Sequence, residues 1–220
     1  MLVINDQPGV TNDNGEYRRE QQVDPEVRPA VSNTQMWIRV DGPYGKQHFN
    51  YRRYPVLVLV CGGIGVTPVI GILKDIYGVG DLTDDQRMHP KAHCVEKVYV
   101  CWVVSNYHQY QWFQEELNMC VASDEVSKQG GVSRPQLQID VQITQGEPPH
   151  SKKQGGALNF IKGRPDMSAY LNVVRKSHDE KAACVFACGP RKLVNRAWDA
   201  AGACSRDGAK FTFHHETFEF

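Results

Sequence analysis

Three separated pieces of this sequence carry residue types that could act on one ligand. Residues 55–73 read PVLVLV-CGGIGVTP-VIGIL, an apolar strand, a glycine turn and the apolar start of a helix. Gly63, Ile64, Gly65, Val66, Thr67 and Pro68 make that turn. Backbone N–H groups point outward from such a turn, and the helix dipole favours negative charge there. Pro68 suits a first helical turn, where its missing N–H is not needed. The expected occupant is a phosphate-bearing ligand. A second piece, Cys188-Gly189-Pro190, closes another apolar strand. The third, Phe213-His214-His215-Glu216-Thr217-Phe218, lies at the C-terminus. Gly163-Arg164-Pro165-Asp166 adds a planar guanidinium, a shape suited to phosphate. Taken singly, each also has a plain structural account: a tight βα turn, a small buried thiol, a loop arginine, an apolar tail closing a sheet edge.

Elements must position these residues. Residues 5–35 are polar and read as a long loop or tail, and 36–40 as a short strand ending in the turn Asp41-Gly42-Pro43-Tyr44-Gly45. Strands then alternate with helices: strand 55–60, helix 67–77, strand 97–104, helix 107–121, strand 137–143, helix 167–176, strand 182–187, helix 190–203 and strand 210–213. Residues 145–162 read as a Gly/Pro/Lys loop. KVYVCWVV is nearly all apolar, as a parallel strand covered on both faces requires, whereas LQIDVQI alternates and belongs nearer an edge. In helix 107–121, Tyr110, Phe113, Leu117 and Val121 share one face. The order predicts an α/β fold, a doubly wound parallel five-stranded sheet. In such sheets ligands bind beyond the carboxyl ends of the strands, where the strand order reverses. Both glycine-bearing turns follow strands, so they can face one ligand.

Composition narrows the function. The balance of 25 Lys and Arg against 25 Asp and Glu offers no basic face for nucleic acid. The seven cysteines include no CxxC pair, which argues against a disulfide framework or a structural zinc site and for a reducing, cytosol-facing setting. Cys61, Cys101 and Cys184 read as core. Met1-Leu2-Val3-Ile4 runs straight into polar residues, unlike a secretory leader. Residues 55–73 carry no charge and approach the ~20 residues of a bilayer span. Gly62, Gly63, Gly65 and Pro68 at their centre favour strand–turn–helix instead. His89, His93, His214 and His215 fit no metal-ligand spacing.

The ordered set Asp41–Gly45, Gly63–Pro68, Gly163–Asp166, Cys188–Pro190 and the aromatic C-terminus resembles the ferredoxin-reductase-like dehydrogenase module. Within it, Trp102, Trp112-Phe113 and the final FHHETF are similar to the NADPH oxidase and ferric reductase branch. The resemblance covers about residues 36–220 and implies NADPH and FAD as cofactors. It places Thr67 and Cys188 beside the nicotinamide, Cys188 orienting the ring rather than attacking it. It gives Arg164 and Pro165 a cofactor-phosphate contact, and sets Gly42 at the junction with a flavin barrel. Phe218 becomes the aromatic that shields the flavin, with Phe220 the alternative, and Glu216 lines the site. Where the oxidases carry an arginine for the 2′-phosphate this chain has Ser105, so NADH is also possible.

The resemblance further implies residues 1–52 as a polar segment and the remnant of an antiparallel FAD-binding β-barrel, with 53–220 as the NAD(P)H-binding domain. The barrel's own phosphate-holding strand and the haem-binding helices are not in this sequence, so the chain reads as the C-terminal part of a larger flavocytochrome. Its missing partners would be the rest of the flavin barrel and a haem-binding transmembrane domain, and its place the cytosolic face of a membrane. The implied reaction is hydride transfer from NADPH to FAD, feeding haem and then oxygen to give superoxide. A ferric-chelate reductase, a soluble NADH-dependent flavin reductase and a non-catalytic domain of the same fold are the alternatives.

Overall fold

The computed structural model describes residues 49–79, 94–130, 134–149, 157–178, 181–206 and 210–216. The chain divides into two compact units, and all of these residues belong to the second, His48–Phe220. The expected strand 36–40, the turn containing Gly42, His89, His93, Phe218 and Phe220 lie outside the described residues.

Strand composition decides the layering. Every residue of β1 (Val56–Gly62) is buried. Successive side chains of a strand point to opposite faces, so Leu57, Leu59 and Cys61 enter one core and Val56, Val58 and Val60 another. β5 (Ala183–Cys188) divides likewise, with Cys184, Phe186 and Cys188 against Ala183, Val185 and Ala187. Strands apolar on both faces need cover on both. Helices α1 (Val66–Tyr77), α2 (Tyr107–Gln111) and α3 (Gln114–Gly130) cover the first face through Val69, Ile72, Leu73, Tyr110 and Leu117. Helices α4 (Met167–Ser177) and α5 (Arg191–Arg206) cover the second through Leu171, Val174, Val194, Ala197 and Ala201.

With β2 (Lys97–Val104), β3 (Gln136–Ile143), β4 (Leu158–Lys162) and β6 (Phe211–Glu216), the strands form one sheet of order β4-β3-β2-β1-β5-β6. Every pairing is parallel. The chain steps outward from β1 to β4, then returns to the far side of β1 for β5. Strand order therefore reverses between β1 and β5.

Three details correct the sequence reading. The sheet has six strands, not five. The added one, β4, lies inside the expected loop 145–162; its LNFIK is short and half exposed, and it is held by pairing with β3 and by Asn159 Nδ2–H donating to buried Asp140 at 2.9 Å. Such support comes from tertiary contacts and leaves no period in the local sequence. Expected helix 107–121 is two helices, broken at Trp112-Phe113, where Phe113 N–H turns back to the Tyr110 carbonyl at 3.1 Å. This tighter turn lets Tyr110 and Phe113 both reach the Trp102 ring, at 6.1 and 6.0 Å. The apolar face itself stands, with Tyr110 and Leu117 buried and Phe113 and Val121 packed against the core. The last strand runs on to Glu216. Among the described residues no helix is long and apolar enough to cross a membrane, and 55–73 folds as β1, turn and α1.

Gly71 is an exposed interior residue of α1 whose added Cβ would meet nothing within 4 Å. Gly71→Ala is expected to stabilise the fold by about 0.5–1 kcal/mol through lost unfolded-chain entropy. Gly65→Ala, whose methyl would run into the Cys188 carbonyl, is expected to destabilise by about 1–3 kcal/mol. Urea midpoints at constant slope read both.

Candidate functional site

β1 and β5 are neighbours in register, Cys61 beside Cys188. Past those cysteines the two chains diverge, one toward α1 on the first face and the other toward α5 on the second. They do so with their backbones pressed together. A Cβ on Gly65 would penetrate the Cys188 carbonyl, and one on Gly189, at φ +147, would lie 2.8 Å from the Gly62 nitrogen. Gly63, at φ +54, is different: a Cβ there would meet nothing within 4 Å. Its backbone borders open space, as close approach by an anion requires. Trp102 Nε1–H donates to the Gly63 carbonyl at 3.0 Å and pins the turn to β2. Thr67 Oγ1–H donates to the Ile64 carbonyl at 3.1 Å. Ile64 and Thr67 are exposed at the rim, Pro68 is half-buried, and Gly65 and Val66 are buried beneath.

A cavity of about 460 Å³ opens over these carboxyl ends, within the ~300–1,000 Å³ of small-molecule sites. It brings together Gly63, Ser105, Arg164, Pro165 and Pro190 from the sequence-selected set. Ile64, Gly65, Val66, Thr67, Pro68, Cys188, Gly189 and Glu216 do not line it. Arg164 is carried on a turn fixed by Asp166, which caps α4 by accepting from Ala169 N–H at 3.0 Å. Ser105 N–H donates to Gln109 Oε1 at 2.8 Å.

Sequence reasoning missed Lys192 and Arg196, which line the same cavity from α5. A signal was available: both follow Cys188-Gly189-Pro190 closely and, four apart, share a helix face. Among the described residues the lining thus holds three cationic side chains and no carboxylate. Among the described residues none of the three has an ion-pair partner, whereas Arg52 pairs with Asp75, Lys162 with Glu147 and Lys181 with Glu96. The arrangement is built to hold an anion.

Cys188 lies below the cavity floor, fully buried. Burial, and then the Glu216 carboxylate, push its thiol up to about 11; Glu216 is its register partner on β6. The group is a neutral thiol at pH 7. Cys61, Cys101 and Cys184 are core residues, their thiols likewise raised, chiefly by burial. His214 stacks on Phe49, centroids 4.6 Å apart, and burial lowers its pKa, while His215 is exposed. Among the described residues no group of three His, Cys, Asp or Glu could hold a metal ion.

Of the seven cysteines only Cys94 is exposed. Iodoacetamide at pH 8 is therefore expected to add one label to the native chain and seven after unfolding, read by intact mass. Between pH ~9 and ~11 the folded state keeps the Cys188 proton that the unfolded chain has begun to lose. Folding stability is expected to fall as pH rises through that window, and Cys188→Ala to flatten the slope of a urea-midpoint titration.

Comparison with known proteins places this geometry in a family. Residues 54–201 match the family described as Ferric reductase NAD binding domain. The chain is 28% identical over 207 residues to respiratory burst oxidase homolog protein B of Oryza sativa subsp. japonica, covering 82% of this chain and 22% of that protein. It is 30% identical over 206 residues to a dual oxidase of Drosophila melanogaster, covering 82% and 12%. It is 28% identical over 199 residues to NADPH oxidase 4 of Mus musculus, covering 89% and 32%. The chain thus spans between 12% and 32% of the length of these three relatives. The family match takes in both glycine turns, the Arg164 turn and the start of α5, and on it the chain belongs to the ferric reductase NAD-binding domain family.

Proposed function

We propose that this chain is the nicotinamide-binding module of a flavoprotein oxidoreductase of the NADPH oxidase type. It passes hydride from NADPH to FAD, from which electrons go on to haem and oxygen, giving superoxide. The observation that carries the reading is the cationic cavity at the β1/β5 reversal, floored by two interlocked glycine turns. The open side of Gly63 and a lining that, among the described residues, carries cations and no carboxylate fit a dinucleotide. The names of its relatives agree: NADPH oxidase 4, dual oxidase and respiratory burst oxidase homolog.

In this reading the turn Gly63–Pro68 offers N–H groups to the pyrophosphate, while Arg164, Pro165 and Ser105 hold the adenosine side. Cys188-Gly189-Pro190 and Thr67 set the nicotinamide, and Glu216, Phe218 and Gly42 face the flavin. When bound, the nicotinamide supplies the hydride and FAD accepts it. The protein's part is orientation and exclusion of water. Cys188, holding its proton, backs the turn with a compact neutral group and forms no covalent bond. Residues 1–52 are read as the last part of the flavin barrel and 53–220 as the nicotinamide domain. The flavin barrel proper and a haem-bearing membrane domain are the proposed partners, at the cytosolic face of a membrane. A ferric-chelate acceptor is the second reading, favoured by the description of the matched family.

Calorimetric titration of the purified chain tests the reading, with micromolar binding of NADPH expected and no binding of any nicotinamide nucleotide overturning it. Gly63→Ala, which brings a methyl to the open side of the turn and costs roughly 1–2 kcal/mol for its left-handed backbone, is expected to weaken NADPH at least about tenfold. Cys188→Ala is expected to slow reduction of added FAD by NADPH while leaving nucleotide affinity within about twofold. An unchanged rate removes Cys188 from the site.

A further inference from the structure

We propose that Lys192 and Arg196, one turn apart at the start of α5, select NADPH over NADH by holding the 2′-phosphate of the adenosine ribose. The inference rests on the reading of the cavity as a nicotinamide-nucleotide site and adds to it the source of its selectivity.

The first support is an electrostatic misfit within α5. The helix begins Arg191-Lys192, its first turn holds no acidic residue, and Arg196 follows within the second turn. Cations at a helix N-terminus oppose the dipole, and like charges four apart repel each other. Neither side chain has a carboxylate partner among the described residues. Both reach the cavity, where Arg164 adds a third positive charge from the end of β4. An anion bound between them relieves all three costs together.

The second support is a surplus of charge over what a pyrophosphate needs. That group is served by the N–H groups of the Gly63 turn and the N-terminus of α1. A phosphate monoester at pH 7 adds a further charge of about −1.5 to −2, and this is the group NADPH has and NADH lacks. Across the cavity Ser105 is neutral and its N–H is engaged by Gln109. Charge recognition therefore falls to α5 and Arg164.

Lys192 and Arg196 are exposed, and the core face of α5 is made by Val194, Ala197 and Ala201, so removing both side chains spares the packing. Arg191 is exposed on the same turn but does not line the cavity, and its removal serves as the control for loss of a positive charge from that turn. The full chain, its Lys192→Ala/Arg196→Ala variant and its Arg191→Ala variant are titrated with NADPH and with NADH, and their thermal midpoints compared. The double variant is expected to lose NADPH affinity by about thirtyfold or more, to keep NADH within about twofold, and to keep its midpoint. Arg191→Ala is expected to change neither affinity beyond about twofold. Equal losses for both nucleotides would assign the pair to the pyrophosphate and overturn the inference, as would unchanged NADPH binding. A parent chain that binds neither nucleotide overturns instead the functional reading beneath it.

Discussion

The structure turns on a contact between two main chains. β1 and β5 lie side by side, and each hands over to a helix on the opposite face of the sheet. Two chains leaving adjacent strands in opposite directions open a crevice between them, but only if they first pass each other at backbone distance. Glycine at 65 and 189 permits that passage. The crevice, its open floor at Gly63 and the α5 cations along its wall all follow from it. A side chain at either contact would spread the strand ends and with them the cavity.

Charge is handled differently above and below that floor. Above it, the cations have no counter-charge among the described residues, so the described lining gives the cavity a positive potential. Below it, Cys188 shares its strand level with Glu216, and burial first, then that carboxylate, keep the thiol protonated. A thiolate there would be a nucleophile and would cancel part of the field above.

Much of this arrangement is legible in the residues. PVLVLV and AACVFA announce buried strands because they are apolar at every position, and the glycines after each mark sites where no side chain fits. The core cysteines and the Arg164 turn are equally readable. β4 is not, because LNFIK becomes a strand through β3 and the Asp140 carboxylate, which its own pattern does not encode. The break at Trp112-Phe113 escapes notice for a related reason: periodicity records which face is apolar, and that face continues through the break. Lys192 and Arg196 look like ordinary solvated helix residues until the fold sets them against the ends of β1 to β4. Type and spacing reveal the scaffold of the site, whereas long-range juxtaposition reveals its charge.

The bond from Trp102 to Gly63 also gives the molecule an optical gauge. Its indole is buried and tied to the Gly63 turn, whereas Trp112 and Trp198 are 69% and 55% exposed. With Trp37 replaced by Phe, collisional quenchers such as iodide reach the exposed pair and leave Trp102 emitting. The residual, blue-shifted emission then comes from a chromophore fastened to the cavity floor at Gly63. Light emitted at β2 can thus report the occupancy of the crevice without any label being attached.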